Sequence, residues 1–146
     1  MDQMTLAIVG GMVLACIGGS AMFALAADPK ADRPAETRLA VLWSSGDPHV
    51  ARQVCFMYTH NAKRAKWFDH VVLIVWGHST RLLAGDEALQ AEVKAMIGSG
   101  VKVQACIACA RNYGVVEDLR KLGIEVKGMG KPLTDYLQGG WKVLCF

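Results

Sequence analysis

From Arg38 onward, short unbroken apolar runs alternate with stretches in which apolar residues recur every three or four positions. A strand buried on both faces reads as the first pattern and a helix covering a sheet as the second, so the alternation predicts a parallel sheet wrapped by helices. There are five runs. Arg38–Trp43 is the first predicted strand, stopped by Ser44-Ser45-Gly46. Asp47 is placed to cap a helix that starts at Pro48. In that helix Val50, Val54, Met57, Tyr58, Asn61 and Ala62 fall at helical spacing and predict the face turned to the sheet.

Val71–Trp76 is apolar and β-branched throughout, as a central strand should be, and Gly77-His78-Ser79 reads as the loop that ends it. A second helix is expected from about Asp86, with Leu89, Val93, Met96 and Ile97 inward and Gly98 or Gly100 at its end. Val101–Ala105 is the third strand and runs directly into Cys106-Ile107-Ala108-Cys109. Val115 or Val116, Leu119 and Leu122 mark a helix stopped by Gly123. A fourth strand follows at Ile124–Lys127, then a short helix at Pro132–Leu137 and a closing strand at Trp141–Phe146.

In a right-handed α/β sheet of parallel strands, all carboxyl ends lie along one edge, and ligands bind there near the change in strand order. That edge should gather Ser44–Asp47, Trp76–Ser79, Cys106–Cys109 and Gly128–Gly130.

The hydrophobic fraction of 53% over 146 residues is high for such a domain, and the excess lies at the start of the chain. Met4–Ala27 carries no charged residue and is long enough to cross a bilayer. Its Ala24-Leu25-Ala26 pattern suits an export peptidase, which makes residues 1–27 a signal peptide and sends the domain to the periplasm or cell envelope. The alternative is a membrane anchor with a cytoplasmic domain. Met1-Asp2-Gln3 lacks Lys and Arg, whereas Lys30, Arg33 and Arg38 follow the run. Residues 28–37 form a charged linker, and 38–146 the domain.

From Thr37 onward the chain has 14 Lys or Arg against 9 Asp or Glu, a formal charge of +5. Without an aromatic-rich basic stripe, nucleic acid is not expected as a partner. The cluster Lys63-Arg64-Ala65-Lys66 reads as the decoration of a helix C-terminus.

Cys106 and Cys109 are the candidate catalytic residues. Their sulfurs lie one helical turn apart where a strand enters a helix, and free backbone N–H groups there favour thiolate, which would make Cys106 a nucleophile. The Cys-X-X-Cys spacing serves redox exchange, metal binding and sulfur transfer alike. Cys55, within the first helix, and Cys145, within the last strand, read as small buried packing residues. His49, His60, His70 and His78 are scattered, so no metal or cofactor is expected within one chain. His78, Trp76 and Ser45 are candidate substrate contacts because they fall at strand carboxyl ends, and Ser44–Asp47 reads mainly as a helix-capping turn.

Val103–Val115, with the string Gln104-Ala105-Cys106-Ile107-Ala108-Cys109-Ala110-Arg111-Asn112-Tyr113-Gly114, resembles the DsrE/DsrF-like (YchN-like) family. Leu42–Asp47, Phe56–Thr59, Ile74–Gly77, Leu82–Ala84 and Gly140–Leu144 look like a small two-cysteine DsrE-like subgroup, and carry the resemblance over nearly all of residues 38–146. At position 78 that subgroup would carry Pro, where this chain has His.

The resemblance implies a flavodoxin-like five-stranded parallel sheet with helices on both faces, assembled as homotrimers or homohexamers. It also implies a sulfur relay in which a persulfide rides on one cysteine and passes to other sulfur-relay or redox proteins. Cys106, eight residues before Gly114, matches the family's sulfur-carrying cysteine, and Cys109 matches the subgroup's second thiol. A dithiol redox protein and a non-catalytic oligomeric binding module at the membrane are the alternative functions.

Overall fold

The computed structural model describes residues 36–146; the apolar run, most of the linker and the readings placed on them lie outside the described residues. Strands β1 (Arg38–Trp43), β2 (His70–Val75), β3 (Lys102–Cys106), β4 (Glu125–Lys127) and β5 (Lys142–Cys145) form one sheet in the order β4-β3-β2-β1-β5, with every pairing parallel. Helix α1 (Pro48–Val50) continues through a π-helical segment (Ala51–Phe56) into α2 (Met57–Arg64). Then come α3 (His78–Gly85), α4 (Glu87–Gly98), α5 (Ile107–Asn112), α6 (Val116–Lys121) and α7 (Gly130–Gln138). Among these described residues, no helix is long and apolar enough to cross a membrane.

The strand order dictates how the helices are shared out. From β1 to β4 the chain always steps to the same side, and right-handed crossovers therefore lay α1 to α6 on one face. The return from β4 past β1 to β5 reverses the step and lays α7 on the other. Packing agrees: Val41, Trp43 and Leu73 meet Phe56, Leu89 and Leu119 in one core. Ala40, Val72, Ile74, Cys106 and Met129 form the second, against Leu133 and Tyr136 of α7.

Local chemistry explains most of the boundaries. Asp47 caps α1 by accepting from the His49 N–H at 2.7 Å, with Pro48 in the first turn. Asp86 caps α4 in the same way, accepting from the Leu89 N–H at 3.0 Å. Gln104, fully buried in β3, donates to Glu125 at 2.7 Å and accepts from the Tyr136 hydroxyl at 2.8 Å, so α7 is tied to the sheet by a satisfied polar pair. Lys127, then Gln104 and Lys102, hold the Glu125 carboxyl down at about 2.

Three expectations are corrected. The buried face of the first helical run is Ala51, Cys55, Phe56, Thr59 and Ala62, while Val54 and Met57 are 43% and 55% exposed. Small residues let this run approach the sheet, and Phe56 meets the Trp43 ring edge-on at 4.8 Å. Gly77-His78-Ser79 is a helix start rather than a loop. Its helix α3 opens on the weak helix formers His78, Ser79 and Thr80, and is set by burial of Ser79, Thr80 and Leu83. Cys145 is exposed, because β5 is an edge strand and α7 alone covers its side of the sheet.

Candidate functional site

The chain leaving β3 turns to the helix-rich face, and the chain leaving β4 turns to the α7 face. Adjacent strands whose connections part in this way open a crevice at their carboxyl ends. Cys106, the last residue of β3, and Met129, just beyond β4, both belong to the second core, with Trp76, Cys109 and Leu133 among the partly buried residues packed on it.

Cys106 occupies the position before α5 in extended geometry (φ −72°, ψ 115°) and is 5% exposed. Cys109, in the first turn of α5, is partly exposed, and both thiols are free. The Cys106 side chain lies close enough to Cys109 to raise the pKa of its thiol. The Gly77 N–H donates to the Cys109 sulfur at 3.3 Å. That N–H is aimed by a backbone at φ +72°, ψ −133°, which only glycine adopts without strain.

Burial pushes the Cys109 thiol above its ordinary range, the neighbouring Cys106 pushes the same way, and the Gly77 N–H opposes them. At Cys109 the shift therefore runs opposite to the one expected from the helix end. Cys109 therefore keeps its proton at neutral pH.

The structure brings Cys106, Cys109 and Trp76 together and sets the other candidates apart. His78 is exposed at the start of α3, tilted against Tyr113 with ring centres 6.3 Å apart. It lines a cleft of about 480 Å³ with Gly46, Arg81, Leu82, Gly85 and Asp86, which neither cysteine lines. Ser45 is spent on its own turn: its hydroxyl accepts from the Asp47 N–H at 3.1 Å, and its N–H donates to the Phe146 carbonyl at 3.2 Å. Cys55 is a packing residue as expected, its thiol pushed up to about 12 by burial. Among the described residues, no group of three or more His, Cys, Asp or Glu is placed to hold a metal ion.

Sequence reasoning placed Gly77 and Met129 at the carboxyl edge, within Trp76–Ser79 and Gly128–Gly130, without giving either a role. A glycine directly after a strand at that edge is a signal for a backbone N–H aimed at the site. Ser79 was misplaced. Fully buried, it donates to the Trp43 carbonyl at 2.6 Å and accepts from the Trp76 N–H at 3.0 Å, locking together the carboxyl ends of β1 and β2.

Fold and site define a class: a parallel α/β domain with a dithiol at its topological switch point. Residues 56–146, which include both thiols, match the model of the DsrE/DsrF-like family, and the chain belongs to that family. A conserved protein of unknown function from Bacteroides thetaiotaomicron is similar at 38% identity and a TM-score of 0.72, over 75% of this chain and 94% of that one. A protein of unknown function from Methanobacterium thermoautotrophicum shares the fold at 18% identity and a TM-score of 0.60, over 76% of this chain and 100% of that one. No curated protein matches.

Proposed function

We propose that this protein is a sulfur carrier that holds sulfane sulfur as a persulfide on Cys106, with Cys109 as its partner thiol. One observation carries the reading: a buried free thiol at the end of β3, with a second, partly exposed one a helical turn away, at the parting of β3 and β4, in a chain whose family suggests sulfur-relay work. The Cys106 thiolate attacks the outer sulfur of a donor persulfide, R–S–SH. The donor S–S bond breaks, the donor leaves as R–S⁻, and Cys106 becomes Cys–S–SH.

Two exits balance. An acceptor thiolate takes the outer sulfur and returns Cys106 as a thiolate. Alternatively Cys109, once deprotonated, attacks the inner sulfur, closes a Cys106–Cys109 disulfide and expels HS⁻. Burial of Cys106 keeps bulk water and oxidants from the loaded sulfur, while the partly exposed Cys109 lies at the mouth.

Intact mass spectrometry after exposure to a small persulfide donor tests this, with Cys106→Ser and Cys109→Ser in parallel. The expected result is a gain of one sulfur, reversed by reductant, present in Cys109→Ser and absent in Cys106→Ser. A gain that instead requires Cys109 overturns the assignment of the carrier. A disulfide formed with no sulfur gain under any donor replaces the carrier by a dithiol redox protein.

A further inference from the structure

The opposite edge of the sheet, where the strands begin, has a character the sulfur chemistry does not use. Four of the five strands open on a basic residue: Arg38, His70, Lys102 and Lys142. Lys63, Arg64 and Lys66 stand beside them at the end of α2 and in the loop before β2. The helix dipole accounts for Lys63 and Arg64 in the last turn of α2. It does not account for Lys66, which lies beyond the helix in a left-handed conformation at φ +56°.

The acids of this edge are already engaged. The Asp69 carboxylate accepts from the Thr37 N–H and hydroxyl at 2.8 and 2.9 Å, Glu36 faces His70 at 3.3 Å, and Glu125 is held between Lys102 and Lys127. Arg38, Arg64, Lys66 and Lys142 make no ion pair among the described residues. Next to them Trp67 is 55% exposed, its ring tilted on Tyr58 at 5.9 Å.

The sequence just before the domain bears on the partner of this edge. Thr37, where the chain joins the sheet, is fastened to Asp69 two residues from Trp67. Only the nine residues Asp28–Glu36 separate it from the uncharged run Met4–Ala27, and they reach at most about 32 Å. Tryptophan partitions to the headgroup level of a bilayer, and each Lys or Arg near an anionic leaflet adds attraction. A short tether turns such weak attraction into docking, because the surface is met at high effective concentration.

We propose that residues 4–27 are retained in a bilayer and that the domain docks strand-start edge down on an anionic lipid surface, through Trp67 with Arg64 and Lys66. The thiols, at the other ends of the strands, then face away from the lipid. This does not depend on the sulfur reading. Lipid is favoured over nucleic acid by the adjacent apolar run and by a lone exposed tryptophan in place of a stacking platform.

The test uses the full-length chain in vesicles of phosphatidylcholine, with and without phosphatidylglycerol, containing a brominated lipid that quenches tryptophan at headgroup depth. Quenching should need phosphatidylglycerol, weaken at high salt and vanish in Trp67→Phe. The double variant Arg64→Gln, Lys66→Asn should lower the ratio of docked to undocked domain about 30-fold. Quenching that is equal in Trp67→Phe and the parent, or indifferent to phosphatidylglycerol, overturns the proposal. So does recovery from native membranes of a chain lacking residues 1–26. Gel retardation of a single-stranded RNA that the double variant abolishes, with quenching unchanged, would assign the edge to nucleic acid instead.

Discussion

Cys106 is 5% exposed at the carboxyl end of β3, whereas Trp67, in the loop that begins β2, is 55% exposed. The same contrast runs along both ends of the sheet. The carboxyl ends bury their polar and reactive groups, with Ser79 fully buried against β1 and β2 and Cys106 in one core with Met129. The amino ends display charge, and their polar contacts, such as Thr37 with Asp69, are open to solvent. A parallel sheet makes such polarity possible because it gathers all starts at one edge and all finishes at the other. Chemistry that needs exclusion of water and contact that needs a broad accessible surface are thereby separated by a strand's length.

The largest expected effect strikes what the two ends share. Trp43, the last residue of β1, is fully buried on Phe56 in the main core, and Trp43→Ala should cost about 3–5 kcal/mol by urea denaturation, abolishing both behaviours together. If either survived a global loss of that size, the two ends would be independent units.

Gly77→Ala acts on the carboxyl end alone. Forcing a side chain onto φ +72° should cost about 1–3 kcal/mol. It should also displace the N–H from the Cys109 sulfur, raising that thiol's pKa further and slowing its alkylation at neutral pH. Unchanged alkylation would mean that the Gly77 N–H does not tune the site.

At the amino end, Glu125→Gln should flatten the acid limb of stability. The Glu125 carboxyl is held at about 2 against 4.5 unfolded, so its contribution is present above 4.5 and is lost as pH falls toward 2. A melting-temperature profile from pH 5 to pH 2 checks this. At the same edge, Thr37→Val removes the hydroxyl bond that helps lower the Asp69 carboxyl, and should raise that pKa toward its ordinary value in an NMR titration while leaving the thiols untouched.

Much of this was legible in the chain. β1 has its expected bounds, β2 to β5 lie within a residue or two of theirs, and the placement of Cys106 at a strand end entering a helix holds, because both depend on local patterns. α3 was not legible. His78-Ser79-Thr80 has the residues of a turn, and its helix exists because Ser79, Thr80 and Leu83 find buried places supplied by distant segments. The first helical run deceived in another way: Val54 and Met57, which the spacing turns to the sheet, face solvent, while Ala51, Cys55, Phe56 and Thr59 are buried. The contact from Gly77 to Cys109 joins residues far apart in sequence, and no periodicity carries it.

The return of β5 to the side of β1 also sets an order of completion for the fold. β1 is the first strand to be made, yet its second neighbour, paired from Leu39↔Lys142 to Leu42↔Cys145, lies roughly a hundred residues downstream. Until that segment emerges during synthesis, β1 presents an open row of backbone donors and acceptors on an apolar strand, the template from which unwanted strand pairing starts. Slow ribosomal delivery of the last few residues should therefore be the step at which this protein aggregates.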